Sequence, residues 1–135
     1  MTPVLLAHPV RSPPRMPLDA QRALLGKLMD VAVLRGKVHA ANLANQNTPG
    51  YRARAVNFEQ SFRMALAEGN PQKAASLMPQ IYEPRNTAMD NDGNDVSSER
   101  EVLQSTENAT LYNAYIAMTQ GRKKMMNIAI TPAPG

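Results

Sequence analysis

The run SSEREVLQSTENATLYNAYIAMTQGRKKMMNIAIT, residues 97–131, holds no proline, and its apolar residues recur at helical spacing. Ser98 with Glu101 fits a capping box. Asp92, Asp95 and Glu99 lie where the positive end of a helix dipole favours anions, and Arg122, Lys123 and Lys124 lie towards the other end, where cations are favoured. One long helix is predicted. Two apolar seams run along it: Val102, Ala109, Tyr112, Ile116, Met126 and Ile130 form one, and Leu103, Leu111, Ala114, Met118, Gly121, Met125 and Ile128 the other. A single partner helix covers only one seam, so the second calls for another protein surface.

That partner helix lies upstream. Leu18 to Thr48 is also free of proline, and Leu24, Leu25, Leu28, Val31, Ala32, Val38 and Ala41 recur at steps of three and four. The pattern predicts an amphipathic helix of about 45 Å, whose Leu and Val stripe is expected on one seam of the second helix. It ends where Asn45, Gln46 and Asn47 weaken helix propensity and Pro49-Gly50 suits a type II turn. The chain divides into an extended or disordered proline-rich arm at 1–17, an N-terminal helix at 18–48, a loop-rich middle at 49–96 and a C-terminal helix at 97–131. Within the middle, Phe58 to Glu68 reads as three helical turns and Gln80 to Tyr82 as a short strand.

Composition limits what these helices do alone. Leu, Ile, Val and Phe make up 26 of 135 residues, and there is no Trp. A core this thin leaves the chain in need of partners. The absence of cysteine excludes disulfides, thiolate metal sites and a cysteine nucleophile. No stretch approaches the length of a membrane span, and the short apolar run Val4 to Ala7 precedes its basic residues, the reverse of a cleavable signal peptide. The net charge of +4 is split into +6 over residues 1–63, −5 over 64–121 and +3 over 122–135. Blocks of opposite sign suit packing along the chain or between copies at least as well as a nucleic-acid face.

Few residues invite a chemical reading. Asp90 to Asp95 resembles a calcium loop, but with Gly93 at the sixth position the first falls on Ala88, which has no side-chain oxygen. An Asp-Gly turn entering a capped helix accounts for it. His8 and His39 stand apart with no carboxylates at ligand spacing, and no nucleophile elbow or phosphate loop is present. Asn108-Ala109-Thr110 matches a glycosylation triplet, but it falls in mid-helix. No enzyme, cofactor or metal site is expected. The basic half, from Arg22 to Arg63, lacks the aromatic platforms or helix-turn-helix pattern of nucleic-acid modules. A basic helical nucleic-acid-binding protein, with steeply salt-dependent duplex binding, is the alternative from another class.

Three asparagines in the six residues Asn42 to Asn47 exceed what a helix stop requires. The run Ala41-Asn42-Leu43-Ala44-Asn45-Gln46-Asn47-Thr48-Pro49-Gly50-Tyr51-Arg52 resembles the N-terminal signature of bacterial flagellar rod and hook proteins. The continuation Arg52 to Glu59, the turn Asp92 to Val96 and the segments Glu99 to Glu101 and Asn108 to Tyr112 resemble the short proximal rod members, and the matches cover most of residues 22 to 130. Ser97-Ser98 departs from the acidic continuation usual after that turn, and the arm matches no family pattern.

The resemblance implies an all-α fold whose terminal helices pair as an antiparallel coiled coil. It implies a structural subunit of the proximal rod that stacks helically, crosses the periplasm, links export gate and motor base to the distal rod and transmits torque. Export through the flagellar type III apparatus without signal cleavage is implied too. The implied partners are other copies, the other proximal rod proteins and the adaptor at the export gate, without nucleic acid or a membrane span. A sibling proximal rod protein is the nearer alternative. Asn42, Leu43, Asn45, Thr48, Pro49, Gly50 and Tyr51 of the motif, with Tyr112, Ile116, Met118 and Met125 of the second helix, are the expected assembly contacts.

Overall fold

A computed structural model describes residues 14–130 together with Pro9 and Ser12, with side chains as far as Lys124. Most of the arm expected at 1–17 lies outside the described residues. The elements are α1 (Leu18–Ala44), β1 (Ala55–Asn57), α2 (Glu59–Ala67), α3 (Pro71–Ser76), β2 (Gln80–Tyr82) and α4 (Ser98–Ile130). At 1.5 Å per residue α1 is about 40 Å long and α4 about 50 Å. The fold is mostly helical, and among the described residues none of its helices is long and apolar enough to cross a membrane.

Helix α1 stops a turn earlier than its composition predicts. Asn45 leaves helical geometry at φ −105°, ψ 15°, and its amide still bonds the Ala41 and Asn42 carbonyls at 3.1 Å each. At the other end, the Gln21 side chain donates to the Met16 carbonyl at 2.6 Å, tying the entering chain to the first turn.

The middle segment is more ordered than a loop. β2 falls at Gln80–Tyr82 as its sequence predicts, and it pairs antiparallel with an unanticipated strand, Ala55 opposite Tyr82, Val56 opposite Ile81 and Asn57 opposite Gln80. The mostly helical expectation stands, with the short strand of the middle segment joined by a second one in a two-stranded sheet. Between the strands α2 matches the predicted three turns, and α3 is a short helix begun by Pro71, where proline is tolerated, and capped by Asn70, whose side chain accepts from Lys73 N–H at 3.0 Å.

The core shows what α1 is for. Leu24, Val31 and Val38 are buried with Val56, Phe58, Phe62, Ala65 and Ala74, the two Phe rings lying 5.2 Å apart. Leu24, Val31 and Val38 of the α1 stripe therefore pack on the middle segment, not on a seam of α4 as expected, while Leu25 and Ala32 lie on the side that meets α4. Apolar surface is scarce in this chain, and both phenylalanines reside in the middle segment, so burial there removes the most from water.

Helix α4 lies along a different line of α1, that of Leu25, Ala32, Gly36 and His39. His39 meets Glu101, Asn108 donates to the Ala32 carbonyl at 2.8 Å, and Arg22, Leu25, Gly26 and Met29 border one groove with Thr119, Arg122 and Lys123. Sequence numbers fall on α1 as they rise on α4, so the two helices run antiparallel. The face that α4 turns to α1 is polar: Glu101 and Asn108 are buried, and Ser105, Tyr112, Tyr115 and Arg122 half-buried, at alternating helical steps. This line overlaps the edge of the first apolar seam, which shares Tyr112 with it, and lies away from the second. Val102, Leu103, Leu111 and Met118 remain exposed, while Tyr112 and Ile116 are half-buried.

The capping box expected at the start of α4 does not form. The Ser98 hydroxyl donates to Gln46 Oε1 and the Glu101 carboxylate turns to His39, leaving the first turn closed by Glu101 N–H on the Ser97 carbonyl at 2.9 Å.

Candidate functional site: a polar joint between two turns

The asparagine-rich end of α1 is built to hold other backbone. Asn42 is completely buried. Its amide nitrogen donates to the Arg54 carbonyl at 2.8 Å, and its oxygen accepts from Arg54 N–H at 3.0 Å and from the Tyr51 hydroxyl at 3.2 Å. One side chain thus satisfies both backbone groups of Arg54, as a neighbouring strand would. Arg35, two turns earlier on the same face of α1, bonds the Val56 carbonyl at 3.3 Å and pairs with Glu59 at 2.7 Å. Together they cover the outer edge of β1 where it would otherwise be open to pairing.

Three residues on, Asn45 closes the helix, its amide on the Ala41 carbonyl at 2.8 Å and its oxygen accepting from Thr48 Oγ1 at 3.1 Å. Gly50 then takes φ +74°, the left-handed value a type II turn asks of its third residue.

A second turn, Asp90 to Val96, locks onto this one. Asn94 is buried and donates to the carbonyls of Asn45 and Thr48 at 2.8 and 2.9 Å, while its oxygen accepts from Val96 N–H at 2.9 Å. Gly50 N–H donates to the Asp92 carbonyl at 2.8 Å. Gly93 has φ +83°, a backbone conformation that favours glycine, and a Cβ there would stand in contact with Gly50 Cα at 3.4 Å. Asp95 is buried with one oxygen 2.6 Å from Ala53 N–H and the other 3.5 Å from Arg52 Nε. Thr87 donates to the Asp95 carbonyl at 2.5 Å.

Beside the joint lies a second buried polar group. His39 Nδ1 is 2.6 Å from Glu101 Oε2, both side chains being more than nine-tenths buried. His39 Nε2 and Asn108 Oδ1 have no hydrogen-bond partner among the described residues, and both residues border a cleft of about 320 Å³ with Arg35, Tyr82, Glu107 and Leu111. No group of three His, Asp or Glu side chains among the described residues is placed to hold a metal ion.

The structure brings Asn42, Asn45, Thr48, Gly50 and Tyr51 together inside one subunit. Pro49 is exposed on the turn and Leu43 half-buried beside it. Tyr112, Ile116 and Met118 stand apart, about 20 Å or more along α4 from its start. The side chain of Met125 lies outside the described residues. Asn94, Asp95, His39, Glu101 and Asn108 were not singled out as site residues; the surplus polarity of Asp90 to Asp95 was the available signal.

What these parts make is a helical structural subunit: two long helices locked at one end by interlocking turns, with apolar side chains on the outside of α4. No family model matches the chain. Among curated proteins it is 29% identical over 129 residues to the flagellar basal body rod protein FlgB of Escherichia coli K12 and of Shigella flexneri. It is 27% identical to that of Salmonella typhimurium. Each alignment covers 82% of this chain and 94% of the relative. The chain is similar to the FlgB rod proteins, and the likeness extends well beyond the motif at residues 41–52.

Proposed function

We propose that this chain is a non-enzymatic subunit of the flagellar basal-body rod, in its proximal segment. There it stacks helically with its own copies and with the other proximal rod proteins, joins an adaptor at the export gate, and transmits torque towards the distal rod. Export proceeds through the flagellar type III apparatus without a cleaved signal. In the assembled rod α1 and α4 tighten into an antiparallel coiled coil whose joint at Asn42 to Tyr51 keeps the two helices in register under load.

The supporting observation is the outward apolar surface of α4 on a chain with so little apolar material, together with the near full-length likeness to FlgB. An apolar side chain left in water contributes nothing to stability, whereas the same side chain buried between subunits contributes about 1.5–3 kcal/mol. Deleting the gene should abolish rods and motility; motile, rod-bearing deletion cells would sink the reading. Complementation with Met118→Asp, which places a charge on an exposed position and leaves the subunit folded, should fail to restore motility. Full restoration would put that face in solvent in the rod as well.

A further inference from the structure

Three features of the long helices have no role within one subunit. Leu103, Leu111 and Met118 stand in line on α4 with 60, 47 and 50% of their surface exposed. Gly26 and Gly121 sit inside helices, where glycine is less favourable than alanine, yet a Cβ built on either meets no atom within 4 Å. Gly36 is different, since a Cβ there lies 3.7 Å from Asn108 Nδ2 across the helix pair. Finally, Lys37 and Glu107 are exposed and form no ion pair among the described residues.

The outer face of α1 has the shape that the α4 line lacks. Ala23, Val33, Lys37 and Ala41 are exposed there, with half-buried Gly26 where this face borders the groove shared with α4. Laid antiparallel with Glu107 opposite Lys37, helical spacing brings Leu103 over Ala41, Leu111 over Val33, Met118 over Gly26 and Gly121 over Ala23. Large side chains meet small ones, the charged pair is of opposite sign, and both unexplained glycines fall within the contact. A parallel arrangement with the same ion pair runs Met118 past the end of α1 at Ala44 and leaves both glycines uncovered.

We infer that the Leu103, Leu111 and Met118 face of α4 docks antiparallel on the outer face of α1 of a second copy, with Glu107 paired to Lys37. The two faces differ, so the contact is heterologous and each added copy presents a fresh face to the next, as growth of a helical assembly requires. This deepens the rod reading and rests on it.

The test uses the full chain, whose lack of cysteine gives a clean background. A mixture of Val33→Cys and Leu111→Cys copies, treated with a short bis-maleimide, should give cross-linked pairs that neither variant gives alone. Gly26→Leu fills open space in the monomer, so its helical circular dichroism should hold or rise while self-association weakens at least tenfold. Glu107→Lys should weaken association, and mixing it with Lys37→Glu copies should restore it. Association that persists without the Val33 to Leu111 cross-link overturns this helix pairing and leaves the rod reading standing. Absence of any association overturns the pairing and self-assembly together, and the deletion phenotype then decides the rod reading on its own.

Discussion

Asn42 shows how one residue type can carry a fold. No carboxylate or hydroxyl could replace it, because Arg54 presents both a donor and an acceptor and only a primary amide answers both at once. Asn42→Ala removes three hydrogen bonds and leaves the Arg54 backbone groups facing a methyl. At about 1 kcal/mol for each bond, and more for groups left unsatisfied, the loss should reach about 3 kcal/mol. Urea denaturation should show the free energy of unfolding falling by that amount, and Asn42→Asp should do no better, since it keeps the acceptor and loses the donor. A stability change within 1 kcal/mol for Asn42→Ala would mean that water replaces the amide. The motif was legible as unusual, since a helix stop needs fewer asparagines. Its purpose was not, because the groups it binds lie at Arg54 and, through Asn94, on a turn more than forty residues away.

At the scale of elements, the two long helices, the turn at Pro49-Gly50, α2 and β2 could all be read from local pattern. β1 and α3 could not. Ala55–Asn57 is too short for an alternation to register, and Pro71 looks like a breaker unless Asn70 is recognised as its cap. The antiparallel partnership of α1 and α4 was legible, but the face of α4 that meets α1 was not: periodicity shows where apolar residues fall, not which face a neighbour takes. Here α1 takes the polar line, and the His39–Glu101 pair is its most buried element. Desolvating such a pair costs much of what its attraction returns. Either His39→Leu or Glu101→Leu alone strands a polar or charged partner and should cost about 3–5 kcal/mol, whereas the double leucine variant should lie within about 1 kcal/mol of the parent or above it. A double-mutant cycle in denaturant measures the coupling. Additive single effects would show that the two side chains act independently.

Across the whole molecule, support is uneven, and this bears on assembly. α1 is gripped on two sides between Leu24 and Asn42, by the apolar core and by α4, and its amides should open only with global unfolding. The first turns of α4 are held by the joint and by Glu101 and Asn108. Beyond Tyr112 the described part of α4 has only half-buried Tyr115, Ile116 and Arg122 towards α1, and the remaining side chains to Lys124 are exposed. Few buried contacts mean a low free energy of local opening. Hydrogen exchange on the monomer should therefore show amides of residues 113–124 less protected than those of residues 28–42 by at least tenfold, with protection falling along α4 rather than in one step. In assembled rods the same amides should slow towards the α1 value if the proposed docking covers the outer face. Uniform protection along α4 in the monomer would show that the polar seam alone holds it, removing the energetic reason for the outer apolar residues to seek a second subunit.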